Sequence, residues 1–188
     1  MQMLTSQHLW TADDLDRLPD DDGNKYEVVA GRLLVTPAPS LAHEVVLNML
    51  RRRIEAYVDA AGTGTTFSRN DLKFDKHNRV DPDLSVVRVA LPVGELTWRD
   101  VPHPMLVVEV LSRSTRTHDL VWKAALYARE QIPLAWIVDH RERVVHVVRP
   151  GHPISRQRAV LQWHPEGAPA PLSIDLAALF DGTVGPRA

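Results

Sequence analysis

Val46, Leu47, Leu50, Ile54, Tyr57 and Val58 recur at spacings of one, three and four, so they fall on one stripe of a helix. The stripe predicts a helix over about residues 41–60, opened by the break Pro37-Ala38-Pro39-Ser40 and ended by Gly62-Thr63-Gly64. A second amphipathic helix is predicted over 119–130, and shorter ones over 11–18, with Thr11 as N-cap, and over 174–180. Short apolar runs between turn residues mark strands. Residues 26–29 and 32–35 read as a hairpin turning at Ala30-Gly31. Further strands are expected over 65–74, 80–87, 105–111, 134–138, 144–149 and 159–163, while the proline-bearing stretch 91–104 reads as a loop with one helical turn. Helices and strands alternate, which predicts a mixed α/β domain (an α+β mixed sheet flanked by helices). One domain over 1–188 is expected, with an N-terminal arm over about 1–24 and a C-terminal extension over about 150–188.

The most hydrophobic run, Met105-Leu106-Val107-Val108-Glu109-Val110-Leu111, carries a carboxylate at its centre. A buried lone charge costs several kcal/mol or more, so Glu109 calls for a partner, a proton or a metal. Upstream, Val80-Asp81-Pro82-Asp83-Leu84 brings two more carboxylates. A regular strand would put Asp81 and Asp83 on one face, with Asp83 the inward one because it leads directly into apolar residues. Lys123 follows on the second helix. Two carboxylates and a lysine suit metal-assisted chemistry on a phosphate, since Mg²⁺ takes oxygen ligands and an ammonium can stabilise phosphate charge. Each residue also has a plainer reading. Glu109 would be satisfied by an arginine or backbone donors, Asp83 would make a turn, and Lys123 would pair with Asp119 one turn away.

Composition narrows the field. The chain has no cysteine, which excludes disulfides, thiolate zinc sites and cysteine nucleophiles. Its nine histidines are scattered, without an H-x-x-x-H pair, and neither a Gly-rich phosphate loop nor a G-x-S-x-G turn is present. Hydrophobic residues make up 44%, no apolar run approaches the ~20 residues that cross a bilayer, and, since Met1 to Trp10 lack a basic region followed by an apolar core, a secretory signal is not expected. A cytoplasmic protein without membrane contact is expected. The net charge of −2 offers no general attraction for nucleic acid, but a metal in a local groove would supply positive charge where it is needed. Arg51-Arg52-Arg53 is either a solvated helix face or a group that steers DNA.

An ordered set of short motifs carries a resemblance. Tyr26-Glu27-Val28-Val29-Ala30-Gly31-Arg32-Leu33 comes first, then Pro37-Ala38-Pro39-Ser40 with His43, then Asp81-Pro82-Asp83-Leu84-Ser85-Val86-Val87. Val108-Glu109-Val110-Leu111-Ser112, Ser114-Thr115, then Asp119, Lys123 and Tyr127, and Ile132-Pro133 with Trp136-Ile137-Val138-Asp139 complete it. Over roughly 11–149 the chain resembles the Uma2 family of restriction-endonuclease-like proteins, within the PD-(D/E)xK nuclease superfamily. The resemblance implies a restriction-endonuclease-like core and a homodimeric, Mg²⁺- or Mn²⁺-dependent endonuclease acting on DNA. It makes Asp83 and Glu109 metal ligands and Lys123 the catalytic lysine, and the reading of the residues adds the Val110 carbonyl as a candidate third ligand. The lysine that the parent pattern has two residues after the glutamate is Leu111 here, and Lys123 on the next helix takes its place; Arg113 is a smaller departure. Glu27 either holds a metal-bound water or hydrogen-bonds the hairpin, and His43 either caps the helix start or takes part in catalysis. Ser112, Ser114 and Thr115 either contact phosphate or start the helix. The competing expectations are a module on the same fold that binds nucleic acid or protein and cuts nothing, and a protein whose substrate is RNA or a nucleotide.

Overall fold

The computed structural model describes residues 8–19, 23–88, 94, 101–112 and 116–182. Most of the 91–104 loop, Arg113, Ser114 and Thr115 lie outside the described residues. Helix α1 (Ala12–Leu15) opens on a capping box in which Thr11 and Asp14 satisfy each other's backbone N–H groups. Strands β1 (Asn24–Val29) and β2 (Arg32–Pro37) form the expected hairpin. Its two-residue turn needs positive φ at both positions, and Ala30 (50°) and Gly31 (71°) supply it. Gly31 is also pressed by its surroundings, since a Cβ there would lie 2.8 Å from Leu9 Cδ2.

Helix α2 (Leu41–Ala61) starts at Ser40, whose hydroxyl accepts from the His43 N–H, and ends at Gly62 in the left-handed region. It buries His43, Val46, Met49, Leu50, Ile54 and Val58, while Leu47 and Tyr57 pack at the margin. The stretch expected as one strand over 65–74 is two: β3 (Thr65–Phe67) and β4 (Leu72–Asp75), which join different sheets. The acidic strand also divides. β5 (Asn78–Val80) ends before Asp81 and β6 (Leu84–Val87) begins after Asp83, so Asp81-Pro82-Asp83 is an irregular bridge between sheets. Proline cannot donate to a ladder, which is the local reason for the break.

β7 (Leu106–Val110) leads through a helix to β8 (Ala135–Asp139), its parallel neighbour, and β9 (Val144–Val148) and β10 (Ser155–Gln157) follow antiparallel. The larger sheet has the order β10-β9-β8-β7-β6-β3, and the smaller β2-β1-β5-β4. The connecting helix begins as a π-helical turn, His118–Lys123, in which the Ala124 N–H reaches back to the Asp119 carbonyl, and continues as α3 (Ala124–Arg129). A hairpin of β11 (Val160–Trp163) and β12 (Leu172–Asp175) runs into α4 (Leu176–Phe180). β10, three polar residues, and β12, four residues with one buried, are too short and too polar to carry a strand signal in sequence. Among the described residues no helix is long and apolar enough to cross a membrane.

Every residue of β6 to β9 is buried, because both faces of the larger sheet are covered. On one face Leu106, Val108 and Val110 meet Leu50, Ile54 and Val58 of α2, with Leu161, Trp163, Ile174 and Leu179 from the C-terminal elements. On the other, Val107 and Leu111 meet Tyr127 and Leu126 of α3 and Val29, Leu34 and Val80 of the smaller sheet. Strand alternation therefore turns Glu109 toward α3 and the hairpin.

Candidate active site

Glu109 is 2% exposed and sits where three elements converge. Among the described residues it takes two hydrogen bonds on Oε1, from Lys123 Nζ (3.1 Å) and the Tyr127 hydroxyl (2.6 Å). Its partners are thus side chains of the following helix rather than an arginine. Burial, reinforced by the nearby Asp119 and Asp83 charges and opposed by Lys123 and Lys25, pushes Glu109 up to about 8.

Lys123 projects from the end of the π turn into a ring of carboxylates: Glu27 Oε1 at 2.8 Å, Glu109 Oε1 at 3.1 Å and Asp119 Oδ1 at 3.4 Å. Burial works against its charge, but these three acids hold it well above the usual lysine value. The pairing with Asp119 is the one that the i,i+4 spacing predicts, and Lys123 is only 2% exposed. Glu27 shows the reverse balance of Glu109. Burial alone would raise it, yet Lys123, Lys25 and the Asp81 N–H (2.8 Å to Oε1) hold it below the ordinary carboxylate range. It thus ties the hairpin both to Lys123 and to the irregular bridge.

Asp83 reaches the same place from the far side of β7. The N–H groups of Val107 and Leu111 point to the β8 edge, so that of Val110 points toward β6, which has ended by then. Asp83 Oδ2 accepts it at 2.8 Å, doing the work of the missing strand. His43 Nε2 lies 3.4 Å from the same oxygen, and its buried Nδ1 has no hydrogen-bond partner among the described residues. His43 is at once a packed residue of the helix start and a neighbour of Asp83. The two aspartates part company: Asp83 lines the cavity with Glu109, whereas Asp81 lines another with Asp16, Asp71 and Arg79. The single face expected of a regular strand is absent because the strand itself is interrupted there.

Asp83, Glu109, Val110, Lys123, His43, Asp119 and Ser112 all line one cavity of about 350 Å³, while Glu27 lies behind Lys123. Two further residues of its wall carry no clear mark in the sequence. Lys25 precedes Glu27 by two positions on β1 and so shares its face; its Nζ donates to the Asp81 carbonyl at 2.8 Å and lies 3.6 Å from Asp83 Oδ1. Burial and Lys123 press its pKa down, but Glu27, Glu109 and Asp83 keep it above the usual value. Arg69, at the cavity mouth, has a left-handed backbone (φ 57°), which no sequence signal announces.

Four carboxylates thus face two ammonium groups. Among the described residues no three acidic or histidine side chains are gathered into a ready-made metal cage. The donors available are the hard oxygens of Asp83 and Glu109, with the Val110 carbonyl on the strand edge that its N–H occupies. Such a set suits Mg²⁺, which keeps several waters and takes one or two carboxylates.

No curated protein matches the chain. Its fold is similar to that of the crystal structure described as "a putative nuclease belonging to DUF820" from Anabaena variabilis ATCC 29413. The TM-score is 0.73 and the identity 19%, over 90% of this chain and 97% of that one. At that identity the likeness is one of fold. The sequence model of the Uma2 family, described as "Putative restriction endonuclease", matches residues 12–178, a span that holds Lys25, Glu27, Asp83, Glu109 and Lys123. By this match over most of its length, the chain belongs to the Uma2 family.

Proposed function

We propose that this protein is a divalent-metal-dependent nuclease that hydrolyses phosphodiester bonds in DNA. The observation that carries the reading is the convergence of Asp83, from the bridge between β5 and β6, and Glu109, from β7, on one cavity that also holds two ammonium groups. Asp83, Glu109 and the Val110 carbonyl would hold Mg²⁺ or Mn²⁺. When bound, such an ion neutralises phosphate charge and makes a water molecule acidic enough to attack at neutral pH. The chain's own residues do the rest. Lys123 keeps Glu109 and Glu27 in register, Tyr127 fixes the Glu109 carboxyl, and His43 stands beside Asp83 where it can accept or return a proton. The π turn supports the reading, since such turns often occur at functional sites. Cutting both strands of a duplex calls for two sites related by a two-fold axis, so we take the working form to be a homodimer, testable by sedimentation.

The test is plasmid nicking in Mg²⁺ or Mn²⁺ by wild type and Asp83→Asn. Wild type should nick and the variant should not. Equal rates would remove Asp83 from the site, and a wild type that binds DNA without nicking it would leave a binding module on a nuclease fold.

A further inference from the structure

The two ammonium groups of the cavity differ in what they have left to give. An ammonium has three N–H donors, and those of Lys123 face three carboxylates within 3.4 Å in a side chain that is 2% exposed. A substrate oxygen could reach Lys123 only by displacing one of them. Among the described residues Lys25 makes one hydrogen bond, to the Asp81 carbonyl, while Asp83 Oδ1 at 3.6 Å and Glu27 Oε2 at 3.9 Å lie beyond hydrogen-bonding distance. Its side chain is 14% exposed, and it sits on the Asp83 side of the cavity. Arg69 flanks it at the mouth with Nε 3.4 Å from Asp81 Oδ2, so Asp81 steadies one cation through its carbonyl and the other through its carboxylate.

We propose that Lys25, rather than Lys123, is the cation that contacts the substrate phosphate, and that Lys123 is a positioning residue confined to the acidic ring. The assignment rests on the nuclease reading. It places a phosphate oxygen against Lys25 Nζ on its cavity side, beside Asp83, where the lysine has donors to spare.

The experiment measures duplex DNA binding by fluorescence anisotropy across a range of NaCl in calcium buffer, with nicking measured in parallel. Every DNA phosphate that the protein no longer neutralises makes the slope of log K against log salt shallower by about 0.9. Lys25→Met should lose that amount and cut at least tenfold more slowly, Lys25→Arg should recover the slope, and Lys123→Met should leave the slope at its wild-type value. A purely structural lysine would not move the slope, so an unchanged slope in Lys25→Met overturns the proposal while wild-type nicking upholds the nuclease. Should Lys25→Met fail to fold, wild type carries the test, because the chain has only four lysines. In protein labelled at lysine ¹³Cε, DNA should shift the Lys25 signal and spare that of Lys123; a still Lys25 signal is fatal to the assignment. A wild type that neither binds nor cuts DNA overturns both readings together.

Discussion

Replacing Glu109 with glutamine should stabilise the metal-free protein by an amount that grows with pH. The carboxyl is buried, and its pKa is pushed up to about 8 from an ordinary 4.5, mainly by burial. Below 4.5 the folded and unfolded chains both carry the proton, and acid and amide are near equivalents. Between 4.5 and about 8 only the unfolded chain has released it, so folding must take a proton back, at about 1.4 kcal/mol for each pH unit. Above about 8 the penalty is complete, at roughly 3–5 kcal/mol. Glutamine keeps an oxygen for Lys123 and Tyr127, and Lys123 retains Glu27 and Asp119, so the local contacts survive. The assay is urea unfolding of both proteins in EDTA at pH 5, 7 and 9, read as the difference between them, which cancels the histidines and surface groups common to both. The variant should exceed wild type by less than about 1 kcal/mol at pH 5 and by several kcal/mol at pH 9. A difference that stays flat from pH 5 to pH 9 would show that Lys123 outweighs burial and that Glu109 is an ordinary ion.

Glu27→Gln should act in the opposite direction. Its folded pKa is depressed, so its contribution is present above 4.5 and disappears as pH falls through the folded value; unfolding curves from pH 3 to 7 should show the variant less stable at pH 7 and level with wild type at the acid end. Lys123→Met leaves buried carboxylates without their shared cation and should cost about 3–5 kcal/mol at pH 7, seen as a lower denaturant midpoint. Gly64→Ala should impair folding outright, since its Cβ would stand 2.2 Å from the Val87 carbonyl oxygen; soluble yield and circular dichroism would report it, and a normal melt would contradict the packing at β6.

How much of this was legible depends on the range of the interaction concerned. The α2 stripe and the I′ hairpin are written in local periodicity and turn chemistry, so both stood where they were expected. Glu109 could be singled out because an acid in an apolar strand is an energetic anomaly whatever lies around it. The break at Asp81-Pro82-Asp83 was not legible as a change of sheet, because the partners that receive each half are distant in sequence. Lys25 could have been found by extending the period-two argument from Glu27 backward, but nothing in an isolated lysine says that it points inward. The saturation of Lys123 depends on Glu27, 96 positions earlier, and only tertiary structure brings them to 2.8 Å.

The way Asp83 is anchored bears on how such a protein could change over generations. Its Oδ2 does two jobs, presenting an acid to the cavity and closing the edge of β7 at the Val110 N–H. Asparagine can still do the second. On the proposed nuclease reading, a single nucleotide change would therefore silence the chemistry without loosening the sheet, and a lineage in which cutting nucleic acid had become harmful would have an open road to a folded, harmless descendant. Lys123 offers no such road, because its loss strands the acids around it. Relatives that have abandoned catalysis should accordingly vary first at the position of Asp83 and last at that of Lys123.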